Sequence, residues 1–258
     1  MLALFSGASG MLAQEQKINT VSNNLANVNT TGFKMNRAEF ADLMYQTHLV
    51  AGATVPGGGQ IPAGIQIGMG VKALSMTKDF EQGSIIDGGR WDMAVMGDGF
   101  FKILKNGEEY YTRDGNFVLQ PDGTLTTPQG DPLQPPITIN NAEKVTAVAV
   151  RRGVLQVYQD ANIVQEEDLR LYRFVNPKGL YATGQNLLAP TEGSGPAVEG
   201  VPEEGGFGTI VSGSLESSNV DVATEFVNMI IGQRAYEANS KSIQTADSML
   251  GIANSVKR

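Results

Sequence analysis

The sequence predicts an α+β chain: long N- and C-terminal helices packed together as a coiled-coil-like assembly domain, a central all-β domain and an extended connector. All 11 prolines lie between Pro56 and Pro202, so the first 55 and the last 56 residues contain none. Proline costs about 3 kcal/mol inside a helix, so helical ends around a non-helical middle are expected. Large apolar residues recur at every seventh position in both ends, the spacing of a helix lying along another helix. The middle alternates short β-rich runs with Asn-Gly and Asp-Gly pairs. Such pairs favour tight hairpins, whose central residues take positive φ.

Residues 1–45 are expected to form an N-terminal assembly helix and a following loop. Leu4, Met11, Ile18 and Leu25 make one row of the repeat. Ala8 starts a second row, which Glu15 and Ser22 interrupt. Gly7 and Gly10 each cost the helix about 1 kcal/mol relative to Ala, so the segment alone is marginal and needs a partner. Residues 46–95 come next as an extended Gly/Pro-rich connector. Its first part, 46–66, carries Leu49, Val50, Val55, Ile61 and Ile65 with His48 as the only potential charge. A free linker is usually more polar, so this stretch is expected to lie against a surface.

Residues 96–205 read as the β domain. Strands are expected at 99–104, 110–112, 117–119, 125–127, 145–150, 154–158 and 169–175, with 183–207 as a Gly/Pro-rich connection. Residues 206–258 then form the C-terminal assembly helix. Val222, Met229, Tyr236, Ile243 and Leu250 are seven apart, and Phe226 opens a second row that Gln233, Ser240 and Asp247 continue. Ser218, Asn219 and Asp221 are N-cap candidates, and Lys257 and Arg258 suit the C-terminal end of the helix dipole. From about 220 to 255 this helix would run roughly 54 Å at 1.5 Å per residue, longer than a small domain. The competing reading is two amphipathic helices of an ordinary bundle. The polar interruptions in both seams speak against it, because they weaken a two-helix core yet are tolerable where many copies pack side by side.

Composition narrows the function. With 19 Lys and Arg against 27 Asp and Glu, the net charge is −8. No basic cluster offers phosphates a positive patch, so nucleic acid and anionic membranes are poor partners. The absence of cysteine rules out thiol nucleophiles, disulfides and thiolate metal sites. No apolar run approaches the roughly 18 residues of a membrane span, so no membrane insertion is expected. The first 20 residues lack the pattern of a cleaved secretory signal.

Enzyme chemistry finds little support. His48 is the only histidine, which excludes His-pair metal sites; no G-x-S-x-G elbow is present to partner it. Gly68-Met69-Gly70-Val71-Lys72-Ala73 matches a G-x-G-x-x-A dinucleotide fingerprint after strand-like Ile65-Gln66-Ile67. That motif works only where the glycines turn into a helix whose N-terminus holds pyrophosphate, and the next residues carry no helical stripe. Asp92 and Asp98 flank an expected strand, while Glu166, Glu167 and Asp168 read as a solvated turn. Asn29-Thr30-Thr31 is a weak glycosylation sequon at a helix end. No catalytic residue, metal site or cofactor is therefore assigned.

The end of the first helix reads Ser22-Asn23-Asn24-Leu25-Ala26-Asn27-Val28-Asn29-Thr30-Thr31-Gly32-Phe33-Lys34. As physics it is a helix terminus, with asparagines tolerant of the left-handed conformation and a glycine for the turn. As a string it closely resembles the N-terminal signature of bacterial flagellar rod and hook proteins. Further matches are Phe40–Gln46, Gly97–Phe101, Tyr111–Phe117, Glu216–Asp221, Glu225–Ile230 and Gln233–Glu237, in family order over the whole chain. Length and connector are most similar to the distal-rod type within that family. The resemblance implies a structural subunit that self-assembles as a helical homopolymer, a hollow axial tube carrying torque from motor to hook. It implies assembly through Leu4, Met11, Ile18, Leu25, Asn23, Asn24, Asn27, Asn29, Gly32 and Phe33, and through Val222, Phe226, Met229, Tyr236, Ile243 and Leu250. Implied partners are proximal rod proteins, the hook protein, surrounding ring (bushing) proteins and the flagellar export apparatus. The implied location is the basal body, crossing the periplasm after export without a cleaved signal. A proximal-rod or hook-type paralogue is the alternative within the family, and a nucleotide-binding enzyme the alternative outside it.

Overall fold

The structure, a computed structural model, describes residues 2–52, 62–140, 145–160 and 162–256. Val55, Pro56, Ile61, Lys257 and Arg258 lie outside the described residues. Two long helices bracket a strand-rich middle: α1 (Leu2–Ala26) and α2 (Val222–Val256). The first strands are β1 (Asn36–Asp42), β2 (Tyr45–Leu49), β3 (Ile65–Gly68), β4 (Val71–Lys78), β5 (Ile85–Asp87), β6 (Met93–Met96), β7 (Phe101–Lys105) and β8 (Glu108–Thr112). The chain divides into two compact units. One draws on Met1–Leu25, Asn36–Thr77 and Asp221–Arg258; the other draws on Ala26–Met35 and Lys78–Val220.

These divisions run differently from boundaries at 45, 95 and 205, for two reasons of pairing. β1 pairs with β4, and β2 with β3, which gathers most of 36–77 into the helical unit rather than leaving it as loop and connector. Strands Thr209–Ser212 and Ser214–Glu216 pair with β6 and β5, so the chain stays in the β-rich unit up to Val220 instead of entering the helix at 206.

In the helical unit, α1 and α2 touch at small residues and run antiparallel. A Cβ added at Gly7 would lie 2.9 Å from Ile243, one at Gly10 2.8 Å from Asn239, and one at Gly232 3.0 Å from Ile18. Asn24 Nδ2 donates to Glu225 Oε2 at 3.0 Å further along. Paired numbers sum to 249 or 250 throughout, the signature of antiparallel helices in constant register. The glycines that weaken each helix alone therefore let the two backbones approach. Asp221 caps α2, accepting from the amides of Ala223 and Thr224 at 3.2 and 3.3 Å.

In the β-rich unit a five-stranded antiparallel sheet runs Leu133–Gln134, β7, β8, Leu187–Ala189, Tyr181–Gly184. Asn106 and Gly107 turn β7 into β8 with φ of 53° and 84°, as the Asn-Gly pair predicts. Phe101 and Ile103 alternate inward with Met93, Phe117, Leu125 and Leu171. A second cluster stacks Phe100, Tyr111 and Phe174 edge to face. Ala147–Arg151, Val154–Gln159 and Asn162–Asp168 make a separate antiparallel meander. Glu166, Glu167 and Asp168 thus sit in a strand, paired opposite 154–156, and not in a turn.

Candidate assembly surfaces and a buried charge cluster

The signature at the end of α1 is held by its own chain. Asn24 is buried; its side chain donates to Asn36 O and accepts from Asn36 N, both at 2.9 Å. Asn36 Nδ2 donates to Asn23 Oδ1 at 3.3 Å. Asn27 accepts from Thr30 through its carbonyl and its side chain, and Asn29 is exposed. Gly32 has φ +66°, and a Cβ there would lie 2.6 Å from the Asp114 amide nitrogen. Phe33 is buried beneath the Lys78 ammonium, 5.2 Å from the ring centroid. Asn24, Gly32 and Phe33 are thus committed inside the monomer.

Lys34 follows directly and is the first member of a buried charge cluster. Its ammonium contacts Glu216 Oε1 at 2.5 Å and Glu81 O at 2.7 Å. Arg113 Nε faces Glu216 Oε2 at 3.4 Å, without hydrogen-bond geometry. Its guanidinium also donates to Gly97 O and Gly99 O, each at 2.7 Å. The Glu216 side chain has no exposed surface, and those of Lys34 and Arg113 only 3% and 5%. Burial lowers the Lys34 and Arg113 pKa values, outweighing the attraction of Glu216. Burial likewise raises the Asp114 carboxyl above its ordinary value, although it accepts from Thr31 at 3.1 Å. Three motifs far apart in sequence, at 31–35, 111–117 and 216–219, therefore meet in one knot. Periodicity could not find it; the clue was the grouping of Lys34, Arg113 and Glu216 in strings singled out by resemblance.

The heptad positions behave differently. On α2 the buried row is Glu225, Gly232 and Ala246, with half-buried Asn239 between them. This is a seven-residue repeat of small and polar residues, offset from the apolar one. Met229 and Ile243 are half-buried, whereas Val222, Phe226, Tyr236 and Leu250 are exposed, joined by Val227, Ile230, Ile231, Met249 and Ile252. On α1, Leu4, Met11, Ile18 and Leu25 are half-buried, and Phe5 and Leu12 are 67% and 62% exposed. Burying a large aliphatic side chain stabilises by about 1.5–3 kcal/mol, so exposed apolar side chains in this number mark an interaction surface. Every residue of β2 and β3 is exposed as well, including Leu49, Ile65 and Ile67.

The other candidates dissolve in the fold. Gly70 leads directly into strand β4, whereas a dinucleotide fingerprint requires its glycines to open a helix. His48 is exposed in β2, and Asp92 accepts from Gly89 N within a turn at 2.6 Å. Among the described residues no group of three or more His, Asp or Glu side chains could hold a metal ion, and no helix is long and apolar enough to cross a membrane.

Three family models match the chain. Residues 4–34 match "Flagella basal body rod protein", 94–153 match "Flagellar hook protein FlgE/F/G D1 domain" and 211–256 match "Flagellar basal body rod FlgEFG protein C-terminal". The flagellar basal-body rod protein FlgG of Borreliella burgdorferi is 44% identical over 263 residues, covering 100% of this chain and 99% of that protein. The protein of that name from Caulobacter vibrioides is 43% identical, covering 100% of both. That of Buchnera aphidicola subsp. Acyrthosiphon pisum is 43% identical, covering 96% of both.

Proposed function

The chain belongs to the flagellar basal-body rod protein FlgG family, and on that premise we propose that its terminal helices pack in a coiled-coil-like manner with those of other copies into a hollow axial tube. It is a structural subunit of the flagellar distal rod, placed in the flagellar basal body. The observation that carries the proposal is the division of α2 into two faces. Gly232, Asn239 and Ile243 meet the chain's own α1, while Phe226, Val227, Ile230 and Ile231 stay exposed. A monomer that spends its glycines on internal contact and leaves its large apolar side chains in water gains most by meeting copies of itself.

In this reading the tube carries torque from the motor to the hook and no step requires catalysis. The proximal rod, the hook protein and the surrounding rings meet its ends and outer surface. The chain reaches the basal body through the export apparatus, and the tube crosses the periplasm. Residues 46–66 act as an extended splint across a neighbouring copy. The fully exposed β2 and β3 support this, because a two-stranded ribbon alone is at best marginal in water.

Phe226→Asp and Ile230→Asp test the assembly face. Each places a charge where the polymer would bury it, at a cost of several kcal/mol, yet on a surface the monomer leaves wet. The expected outcome is an unchanged melting curve for the β-rich unit and no filaments by electron microscopy. Filaments assembling at the wild-type concentration would remove this face from the interface.

A further inference from the structure

Residues 216–219 bond to two separate stretches of the β-rich unit at once, 32–35 and 79–84, and face Arg113 in a third. The Glu216 carbonyl accepts from Gly32 N at 2.8 Å, and its carboxylate takes Gly83 N at 3.0 Å besides Lys34. Ser217 N donates to Ser84 O at 2.8 Å. Asn219 Oδ1 accepts from Met35 N at 2.8 Å, and its Nδ2 donates to Asp79 O and Glu81 O at 3.0 and 3.1 Å. These contacts depend on one another. If Glu216 left alone, Lys34 and Arg113 would be buried cations without their carboxylate, and a buried unpaired charge is strongly penalised. The favourable way to part is for 32–35 and 216–219 to separate together, which lets Lys34 and Glu216 reach water and opens to water the side of Arg113 that Glu216 covers. The core around Phe101, Ile103 and Leu125 uses none of these bonds, and regions that open below the global barrier do so in such contiguous pieces.

We propose that residues 32–35 and 216–219 form a latch that opens and closes as one piece, freeing together the two chain segments that continue into α1 and α2 while the β core stays folded. One consequence, which rests on the assembly reading, is that both terminal helices could be seated among neighbours in a single step.

Hydrogen exchange by NMR on the dilute full-length chain tests the latch apart from assembly. The amides of Gly32, Met35, Gly83 and Ser217 should share one opening rate, at least roughly tenfold faster than those of Leu125 and Ile139 in the core. Asn219→Ala provides the sharper arm. Asn219 bonds only the Met35 amide among the four, yet a one-piece latch should speed all four together and leave the core amides unchanged. Acceleration confined to Met35, or wild-type exchange of the four at the core's own rate, would overturn the proposal.

Discussion

Glu216 faces two cations and is shut away from water, so the three charges are not equivalent. Losing Lys34 leaves Glu216 with Arg113, whereas losing Glu216 leaves two buried cations near each other. Breaking a buried pair typically costs about 3–5 kcal/mol because of the charge left behind. Glu216→Leu should therefore lower the urea midpoint of the β-rich unit more than Lys34→Met does. The reverse order would mean that Lys34 bears the cluster's burial cost alone. Asp114 offers a pH test. Burial raises its carboxyl above 3.8, so the folded state binds the proton more readily than the unfolded state. Its ionised form weighs against folding at neutral pH, and that cost is relieved as pH falls through the raised value. Asp114→Asn keeps an acceptor for Thr31 and the Asn116 amide and removes the charge. Wild type should thus gain stability relative to Asp114→Asn between neutral pH and about pH 4; paired urea titrations would show a relative loss instead if the carboxylate were stabilising.

At the scale of elements, α2 serves two partners with one sequence. Its row of Gly232 and Asn239 lies between apolar positions and faces Ile18 and Gly10 of α1, and close approach needs a glycine on one side of each contact. Gly10→Leu would drive branched carbons into Asn239, which already lies 2.8 Å from where a Cβ would sit. The expected result is loss of α1–α2 contact, read as faster amide exchange along 7–24 and 225–246, with the β-rich unit melting as before. Unchanged exchange would show that the helices do not need this approach. β2 and β3 illustrate the converse: they pair along their length, but no residue in either is covered.

For the whole molecule, stiffness is the property a rod subunit must supply, and the described residues of β2 and β3 are exposed along both strands. Apolar surface laid on a neighbour stabilises by about 25 cal/mol per Å², and proline reduces the entropy lost on fixing it. Deleting 46–66 should leave the β-rich unit folded and the helices able to polymerise, giving filaments that are more curved or flexible in electron micrographs. Straight filaments of unchanged stiffness would reduce the segment to a passive linker.

What the sequence determined by itself was carried by local physics. Proline placement marked both helices, Asn106-Gly107 marked the β7–β8 hairpin, and the apolar sevenfold rows marked faces that must be covered somewhere. The motif strings placed the chain in its family without any coordinates. Only the tertiary structure decided which partner covers which face, because periodicity records that a row is apolar and not what meets it. Hence the α1 contact falls on Gly232, Asn239 and Ile243 and leaves Phe226 and Ile230 exposed. Long-range pairing was equally hidden: 209–216 reads as an approach to a helix, yet its strands close on β5 and β6, more than a hundred residues earlier. The Lys34–Glu216–Arg113 cluster is the extreme case. Each residue alone reads as a solvated charge, and burial of all three together depends on distances that no local pattern encodes.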